Sequence, residues 1–343
     1  MIILVTGAAG FIGFHLSKRL LQEGHQVVGI DDLNDYYSVD LKTDRVEELK
    51  VTSSEFSFVK ADISDKDKIE EVFQEHNIGR IYHLAAQAGV RYSINNPDVY
   101  IRSNLIGFYN IIEAARQHDI EHLIFASSSS VYGANKKVPY EVSDHTDHPV
   151  SLYAATKKSN EMLAHSYSHL YDIPMTGLRF FTVYGPWGRP DMAYFKFTDL
   201  IKSGQQIEIY NEGDMYRDFT YVDDIVEALF RLLDVIPEPS NQWDAEHPSP
   251  EVGPAPYRLY NIGNNAPIKL MDFVNILEEA LGVEANKVFK PMQPGDVYRT
   301  WADCEDLYKT IGYKPTTNLR EGINKFVSWY NKYHSSEFLK TNF

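Results

Sequence analysis

Short apolar runs alternate with amphipathic stretches through the first half of the chain. The apolar runs IILVT, QVVGI, RIYHLA and HLIFASS have the length and composition of strands, whereas stretches 11–23, 65–76 and 97–117 have the period of helices. Strands that alternate with helices form right-handed βαβ units, whose strands are parallel. The pattern therefore predicts an α/β fold with a doubly wound parallel sheet covered by helices on both faces.

After about residue 185, apolar runs and amphipathic stretches alternate less regularly. Further helices are expected near 194–203, 222–234, 270–281 and 319–334. Residues 237–256 hold six of the sixteen prolines and are predicted to form a surface loop. We expect residues 1–185 to form a nucleotide-binding domain. Residues 186–343 should form mainly a smaller C-terminal substrate-binding region, with the chain crossing between the two.

Composition narrows the possible partners. A formal net charge of −15 would repel nucleic acid and anionic membranes, and no apolar run is long enough to span a bilayer. Cys304 is the only cysteine, so an internal disulfide is impossible and a reducing, cytoplasmic location is expected. The twelve histidines show no ligand spacing, so we predict no metal site.

The motif TGAAGFIG lies between the first strand and the first helix. Gly7, Gly10 and Gly13 permit a tight turn and let the main chain approach a pyrophosphate at the helix N-terminus, which is the dinucleotide site of a Rossmann-type fold. Asp31 ends the second strand, where a carboxylate binds the adenosine ribose and repels a 2′-phosphate. The motif therefore predicts NAD rather than NADP; the alternative is a glycine turn without a ligand.

Further residues are expected around the same cofactor. Asp62 and Ile63 should lie at the adenine edge, and the small residues Ala85 and Ala86 should leave room for the cofactor, unless they serve close packing alone. The full predicted cofactor set is Gly7, Gly10, Phe11, Ile12, Gly13, Asp31, Asp62, Ile63, Leu84, Ala85, Ala86, Asn104, Tyr153, Lys157, Phe180 and Val183.

Tyr153 and Lys157 are four residues apart and share one face of a predicted helix. A tyrosine titrates near pH 10, so its use as a base near neutrality needs positive charge close by, which an ammonium would supply. A serine from the preceding ASSSSVYG would bind the reacting oxygen of a substrate. Without the glycine loop, the pair would more simply be part of a solvated helix face.

The motifs TGAAGFIG, ASSSSVYG, YAATK and RDFTYVDD occur in the order seen in the extended short-chain dehydrogenase/reductase family, which the chain resembles over nearly its whole length. The resemblance implies that Ser128, Tyr153 and Lys157 are catalytic and that Asn104 is a supporting structural residue. It also implies a homodimer that pairs helices 97–117 and 152–171. The possible contacts, which could equally be core residues, are Leu105, Phe108, Ile112, Met162 and Tyr167.

Within that family, 4,6-dehydratases carry an Asp-Glu pair immediately before VYG, where this chain has Ser129 and Ser130. We therefore do not expect elimination of water. The reaction that remains is oxidation at C4 of a nucleotide sugar, followed by 4-epimerisation. The segment RFFTVYGPWGRPDMAYFKF is similar to epimerases that act on UDP-glucuronate. The alternatives are a UDP-glucuronate decarboxylase, an epimerase of another UDP-sugar, or an NAD-dependent sensor or scaffold without catalysis.

The substrate is predicted to be a UDP-sugar. Arg189, with Thr182 nearby, would grip a uronate carboxylate, although a turn arginine paired with Asp191 is the alternative. The predicted substrate-binding set is Arg91, Ser128, Ser129, Thr182, Arg189, Tyr210, Arg217 and Arg299.

Overall fold

The fold is described for residues 1–292 and 298–340 of a computed structural model. The strands are β1 (Ile2–Thr6), β2 (Gln26–Asp31), β3 (Phe56–Lys60), β4 (Arg80–His83), β5 (His122–Ser128), β6 (Met175–Phe180), β7 (Thr182–Tyr184), β8 (Gln206–Tyr210), β9 (Tyr216–Tyr221), β10 (Tyr257–Ile262), β11 (Pro267–Lys269), β12 (Asn286–Lys290) and β13 (Arg299–Thr300). The helices are α1 (Phe11–Gln22), α2 (Val39–Thr52), α3 (Lys66–Glu75), α4 (Tyr92–Asn95), α5 (Pro97–Tyr100), α6 (Phe108–Gln117), α7 (Leu152–Tyr171), α8 (Ala193–Lys202), α9 (Val222–Leu232), α10 (Leu270–Leu281), α11 (Glu305–Ile311) and α12 (Leu319–Lys340).

A seven-stranded sheet in the order β10-β6-β5-β4-β1-β2-β3 forms the centre of the molecule. Every neighbouring pair is parallel, and the interior strand β1 is almost wholly apolar and buried, as a sheet covered on both faces requires. The prediction of a Rossmann-type, doubly wound parallel sheet is confirmed. Strand β10 comes from beyond residue 186, so the sheet contains a strand from the later part of the chain; the predicted domain boundary itself stays a prediction.

Smaller sheets lie beside the large one. Strand β9 pairs with β7, β11 and β13, and β8 pairs with β12. Strand β7 follows β6 after a single residue, so the chain passes directly from the large sheet into the small one. Of the helices within residues 1–292 and 298–340, none is both long and apolar enough to cross a membrane.

The helices differ from the sequence prediction in several places: α4 and α11 were not predicted, and two further differences concern α2 and the predicted helix 97–117. Helix α2 was not predicted, because its buried face includes Lys42 and Arg45 and so lacks an apolar period. The predicted helix 97–117 is three segments: α5, a π-helical stretch over Ile101–Gly107, and α6. Single π-helical turns inside helices are common near functional sites.

At two positions the structure decides between the alternatives of dimer contact and core residue. Phe108 and Ile112 are fully buried within the protomer, where both belong to the apolar cluster around strands β4 and β5. They are core residues and are not available to a partner. Met162 is exposed, whereas Leu105 and Tyr167 are partly buried.

Helix α7 is attached to the sheet by a buried ion pair. Arg179 of β6 donates from Nε to Oε1 and from Nη2 to Oε2 of Glu161, at 2.9 Å in both cases, and both side chains are 0% exposed. Ser127 of β5 donates to Oε1 of the same carboxylate at 2.7 Å. Because bidentate charge-assisted bonds constrain direction as well as distance, they fix where α7 lies along β5 and β6.

The Glu161→Gln variant tests this attachment. Gln keeps the size of the side chain but leaves the Arg179 charge buried without its counterion, so we expect the free energy of unfolding in urea to fall by about 3 kcal/mol. The control is Glu321→Gln, which breaks an exposed pair with Lys325 and should change stability by less than about 0.5 kcal/mol. Equal effects of the two variants would contradict the account.

Candidate active site

A cleft of about 720 Å³ opens at the carboxyl ends of the central strands. Loops that follow β1, β2, β4, β5 and β6 line it, and β1 and β4 are the neighbours between which the strand order reverses. Open parallel sheets bind their ligands at this point. The predicted residues that line the cleft are Gly7, Gly10, Phe11, Ile12, Gly13, Asp31, Asp62, Ile63, Leu84, Ala85, Ala86, Arg91, Ser128, Ser129, Tyr153, Lys157, Phe180, Thr182, Val183, Arg189 and Arg217.

The glycine loop is packed so closely that side chains are excluded at two positions. Gly7 has φ of +72°, and a Cβ there would lie 2.8 Å from the main-chain nitrogen of Ala85. A Cβ at Gly13 would lie 2.1 Å from the carbonyl oxygen of Gly7. Helix α1 begins immediately after the loop, at Phe11. The loop therefore brings bare main chain and a helix N-terminus to the cleft, as a pyrophosphate site requires.

Asp31 ends β2 at the rim of the same loop. The main-chain amides of Ala9 and Leu33 donate to its two carboxylate oxygens at 3.1 and 3.0 Å. Burial raises the pKa of Asp31, and the two amide donors and the charge of Lys42 act in the opposite direction. These bonds hold the carboxylate at the edge of the cleft, in the position from which an acid binds ribose hydroxyls.

Ser128, Tyr153 and Lys157 meet on the other side of the cleft. Ser128 is the last residue of β5, and its hydroxyl lies close enough to Tyr153, in the first turn of α7, to lower the pKa of the phenol. Lys157, one turn later, donates from Nζ to the carbonyl oxygen of Ala126 at 2.8 Å. Helix α7 begins here because Ser151 caps it, accepting from the amide of Ala154 at 3.1 Å.

The charges around Tyr153 differ in part from expectation. Burial raises the pKa of Tyr153, whereas the nearby Ser128 hydroxyl and the charge of Arg189 lower it. Burial lowers the pKa of Lys157 to about 8. The cation that lowers the pKa of the phenol in this structure is thus Arg189, which sequence reasoning had assigned only to substrate binding.

Asn104 lies behind the cleft rather than in its lining. Its Nδ2 donates to Gln87 O and to Thr156 Oγ1, both at 3.0 Å, and its Oδ1 accepts from the Gln87 amide at 2.8 Å. The side chain thus joins the loop after β4 to α7, next to Lys157. These bonds engage the Asn104 side chain within the protein. Direct contact between Asn104 and a cofactor stays a prediction.

Arg189 is paired with Asp191, as the alternative interpretation of the sequence anticipated. Nε donates to Oδ1 at 3.0 Å and Nη2 donates to Oδ2 at 2.5 Å. Arg189 also lines the cleft together with Thr182 and Ser129. The pairing of the turn arginine is therefore observed, and its grip on a uronate carboxylate stays a prediction.

Two predicted substrate residues are not brought into the cleft lining described by residues 1–292 and 298–340. Arg299 is exposed and lies 4.9 and 4.8 Å from the ring centres of Tyr216 and Tyr298. Tyr210 lies at the end of β8, with its ring centre 5.8 Å from the guanidinium of Arg91. Their contact with a nucleotide stays a prediction.

Sequence reasoning missed part of the lining. The segment after Asp31 contributes polar and aromatic residues, which a cluster of charges and tyrosines in DDLNDYYSVDLK could have indicated. The missed lining residues include Asp32, Asn34, Tyr36, Tyr37, Lys42, Gln87, Tyr92, Ser103, Ser127, Ser130, Phe181, Asp191 and Met192.

Known proteins resemble this chain over nearly its full length. Residues 3–243 match the NAD dependent epimerase/dehydratase family. Protein CapI of Staphylococcus aureus is 55% identical over 334 residues, 97% of this chain and 99% of that protein. A probable UDP-glucuronate 4-epimerase of Rhizobium meliloti (strain 1021) is 48% identical over 330 residues, 96% of both proteins. The crystal structure of UDP-glucuronic acid 4-epimerase from Bacillus cereus with UDP-glucuronic acid and NAD has a TM-score of 0.84 and 32% identity, covering 97% of this chain and 100% of that one.

The lowered pKa of Lys157 predicts how stability depends on pH. Its pKa is about 8 in the folded protein against 10.5 ordinarily, so the unfolded chain binds more protons between these values and stability rises with pH there. From about pH 8 to about pH 9.5, the wild type should gain about 1.5 kcal/mol relative to Lys157→Met in urea unfolding. Lys50→Met, at an exposed site, is the control and should follow the wild type. Parallel pH curves for Lys157→Met and the wild type would refute the assignment.

Proposed function

The chain belongs to the NAD-dependent epimerase/dehydratase family, and from that premise we propose that it is a UDP-glucuronate 4-epimerase, which interconverts UDP-glucuronate and UDP-galacturonate. The observation that carries the proposal is the full-length similarity to such enzymes, together with a cleft that contains both a Ser-Tyr-Lys set and an arginine. The Ser-Tyr-Lys set suits the oxidation of a hydroxyl group, and the arginine suits the binding of a carboxylate.

NAD is the cofactor. The residues present fit it: bare main chain at Gly7 and Gly13 lies at a helix N-terminus, and the Asp31 carboxylate is held at the end of β2. When bound, NAD would supply reversible hydride transfer at C4 of the sugar. Asp31 is placed to bind the adenosine ribose, where its charge disfavours a 2′-phosphate.

The proton of the C4 hydroxyl is assigned to Tyr153. Ser128 lines the cleft beside Tyr153 and would bind the same substrate oxygen, which orients the proton for transfer. Because burial raises the pKa of Tyr153, transfer near neutral pH depends on positive charge close to the phenol, and Arg189 supplies part of it. For epimerisation the 4-keto sugar would turn over in the cleft, and Tyr153 would return the proton to the C4 oxygen when the other face of the sugar is reduced.

The positions that precede Val131 carry hydroxyls rather than an acid and a base. Ser129 and Ser130 both line the cleft, and neither can remove a C5 proton while protonating a leaving hydroxyl. The site therefore favours a reversible oxidation and reduction at one carbon over elimination. Arg189 and Thr182 are assigned to the uronate carboxylate, and Arg217 to the diphosphate, since all three line the same cleft.

A homodimer is proposed from the faces of α6 and α7. The two helices are joined by a bond from the Tyr167 hydroxyl to Glu113 at 3.0 Å. Apolar residues of α6, of α7 and of the π-helical stretch before α6 remain exposed: Ile106 (48%), Tyr109 (41%), Met162 (51%), Leu170 (63%) and Tyr171 (46%). These side chains suit burial against a second copy of the chain. A cytoplasmic location and the absence of nucleic acid partners stay predictions from composition.

Tyr153→Phe tests the assigned proton transfer. The variant removes one hydroxyl, so it should bind NAD and UDP-glucuronate with wild-type affinity while kcat for UDP-galacturonate formation falls at least about 100-fold. The measurement is initial-rate chromatography of the two UDP-uronates, beside calorimetric titration. Tyr260→Phe, which removes a hydroxyl that bonds Thr310, is the matched control and should retain activity. A Tyr153→Phe enzyme with a tenth of wild-type kcat would show that another group moves the proton.

Sedimentation velocity tests the proposed dimer. The wild type should sediment with twice the 39.3 kDa of one chain, because the exposed apolar residues of α6 and α7 would be buried between copies. Ile106→Glu combined with Met162→Glu should give a monomer, since charges are excluded from such a contact. Val51→Glu, at an 84% exposed apolar position on α2, should leave the dimer intact. A monomeric wild type, or a dimeric double variant, would be incompatible with this interface.

A further inference from the structure

The carboxylate of Asp191 is held by three donors. Arg189 donates from Nε and Nη2 to its two oxygens, and the hydroxyl of Tyr36 donates to Oδ2 at 3.2 Å. The Arg189 and Asp191 side chains are 23% and 27% exposed. Burial alone would raise the pKa of Asp191, but the bonds and charge of Arg189 and the bond from Tyr36 lower it. Asp191 is therefore an ion at neutral pH and remains paired.

This pairing uses only one edge of the guanidinium. Arginine has five N–H donors in a planar fork, and Asp191 takes the edge formed by Nε and Nη2. The edge formed by Nη1 and the second Nη2 proton lies in the same plane, and no group among residues 1–292 and 298–340 accepts a bond from Nη1. Arg189 can therefore bind a second carboxylate while Asp191 holds the first edge.

The main chain next to Arg189 is also fixed. Arg45, fully buried on α2, donates to Trp187 O at 2.6 Å and to Gly188 O at 3.1 Å. The same guanidinium donates to Ala9 O, in the glycine loop, at 2.7 Å. Because the backbone of residues 187–188 is tied in this way to the cofactor loop, the direction of the Arg189 fork depends on its own side-chain torsions, which the bonds to Asp191 restrict.

We propose that Asp191 and Tyr36 are positioning residues that aim the free edge of Arg189 at the substrate carboxylate, and thereby make the cleft selective for UDP-uronates. The proposal rests on the proposed function. In this proposal Asp191 remains bound to Arg189 when the substrate binds, and the substrate carboxylate does not displace it. Displacement would leave a partly buried carboxylate without its bidentate partner, whereas binding at the other edge keeps every charge paired.

The direction of the fork matters because of the chemistry at C4. Oxidation there makes the sugar a β-keto acid. If the C5–C6 bond aligns with the carbonyl π system, that bond breaks, CO2 leaves, and its electron pair forms an enolate between C5 and C4. The enolate takes a proton at C5, and hydride returned to C4 gives a UDP-pentose with no net redox change. A bidentate grip from a fixed direction holds the carboxylate out of that alignment.

The test compares Asp191→Asn, Asp191→Ala and Tyr36→Phe with the wild type. Calorimetry gives the affinities for UDP-glucuronate, UDP-glucose and UDP. We expect Asp191→Asn to weaken UDP-glucuronate about tenfold, Asp191→Ala to weaken it more and Tyr36→Phe less, with UDP-glucose and UDP unchanged within twofold. The surface variant Glu47→Gln, on the exposed part of α2, should match the wild type throughout.

Turnover provides the second readout. Product analysis should show at least a tenfold larger share of UDP-pentose and CO2 from Asp191→Asn than from the wild type, as from Arg189→Lys. Parallel losses for all three ligands, or an unchanged preference for the uronate, would overturn the positioning role. If the wild type fails to convert UDP-glucuronate but Asp191→Asn still loses selectivity for it, the proposed function fails and the positioning role stands.

Discussion

The position of helix α7 on the sheet depends on the buried pair between Glu161 and Arg179. Ser127 bonds to this pair, and both it and the next residue, Ser128, line the cleft. The end of β5 therefore supplies a serine that holds α7 in place and, next to it, the serine that is proposed to bind the substrate. A shift of α7 along the sheet would separate Tyr153 from Ser128 and Lys157 from the Ala126 carbonyl. The relative positions of Ser128, Tyr153 and Lys157 therefore depend on how α7 packs against the sheet.

Burial has opposite effects on the reacting groups. It raises the pKa of Tyr153 and lowers that of Lys157, so it disfavours the charged form of both. Functional sites commonly contain groups that are perturbed in this way, at the expense of stability. Arg189, which lines the cleft, acts against burial by lowering the pKa of the Tyr153 phenol. Its neighbour Asp191 keeps that cation paired, so the group proposed to bind the uronate carboxylate also acts on the group proposed to move the proton.

Much of the architecture was predictable from the spacing of apolar residues, because parallel strands buried on both faces leave unbroken apolar runs such as IILVT. The glycine loop was predictable because the main-chain geometry at Gly7 excludes other residues. Asp31 was predictable because it is the last residue of the second strand. Helix α2 was missed since Lys42 and Arg45 are on its inner face, where their charges bind carbonyls and side chains rather than water. Phe108 and Ile112 were ambiguous because core and interface residues share one composition.

Other features depend on contacts between distant segments, which a pattern along the chain does not contain. The Glu161–Arg179 pair joins residues 18 apart, and the bond from Tyr36 to Asp191 joins residues 155 apart. Tyr210 and Arg299 belong to the smaller sheets, and their distance from the cleft lining follows from how those sheets pair. Arg189 shows the limit of motif reasoning most clearly, since pairing and ligand binding were treated as alternatives although the fork has two edges.

The most direct test of the account is the product mixture of the wild-type enzyme, with NAD present, from each side of the reaction. Separate incubations with UDP-glucuronate and with UDP-galacturonate, followed by proton NMR and CO2 capture, should converge on one mixture of the two UDP-uronates, without net NADH. CO2 and a UDP-pentose as the main products, or conversion of neutral UDP-sugars alone, would contradict it.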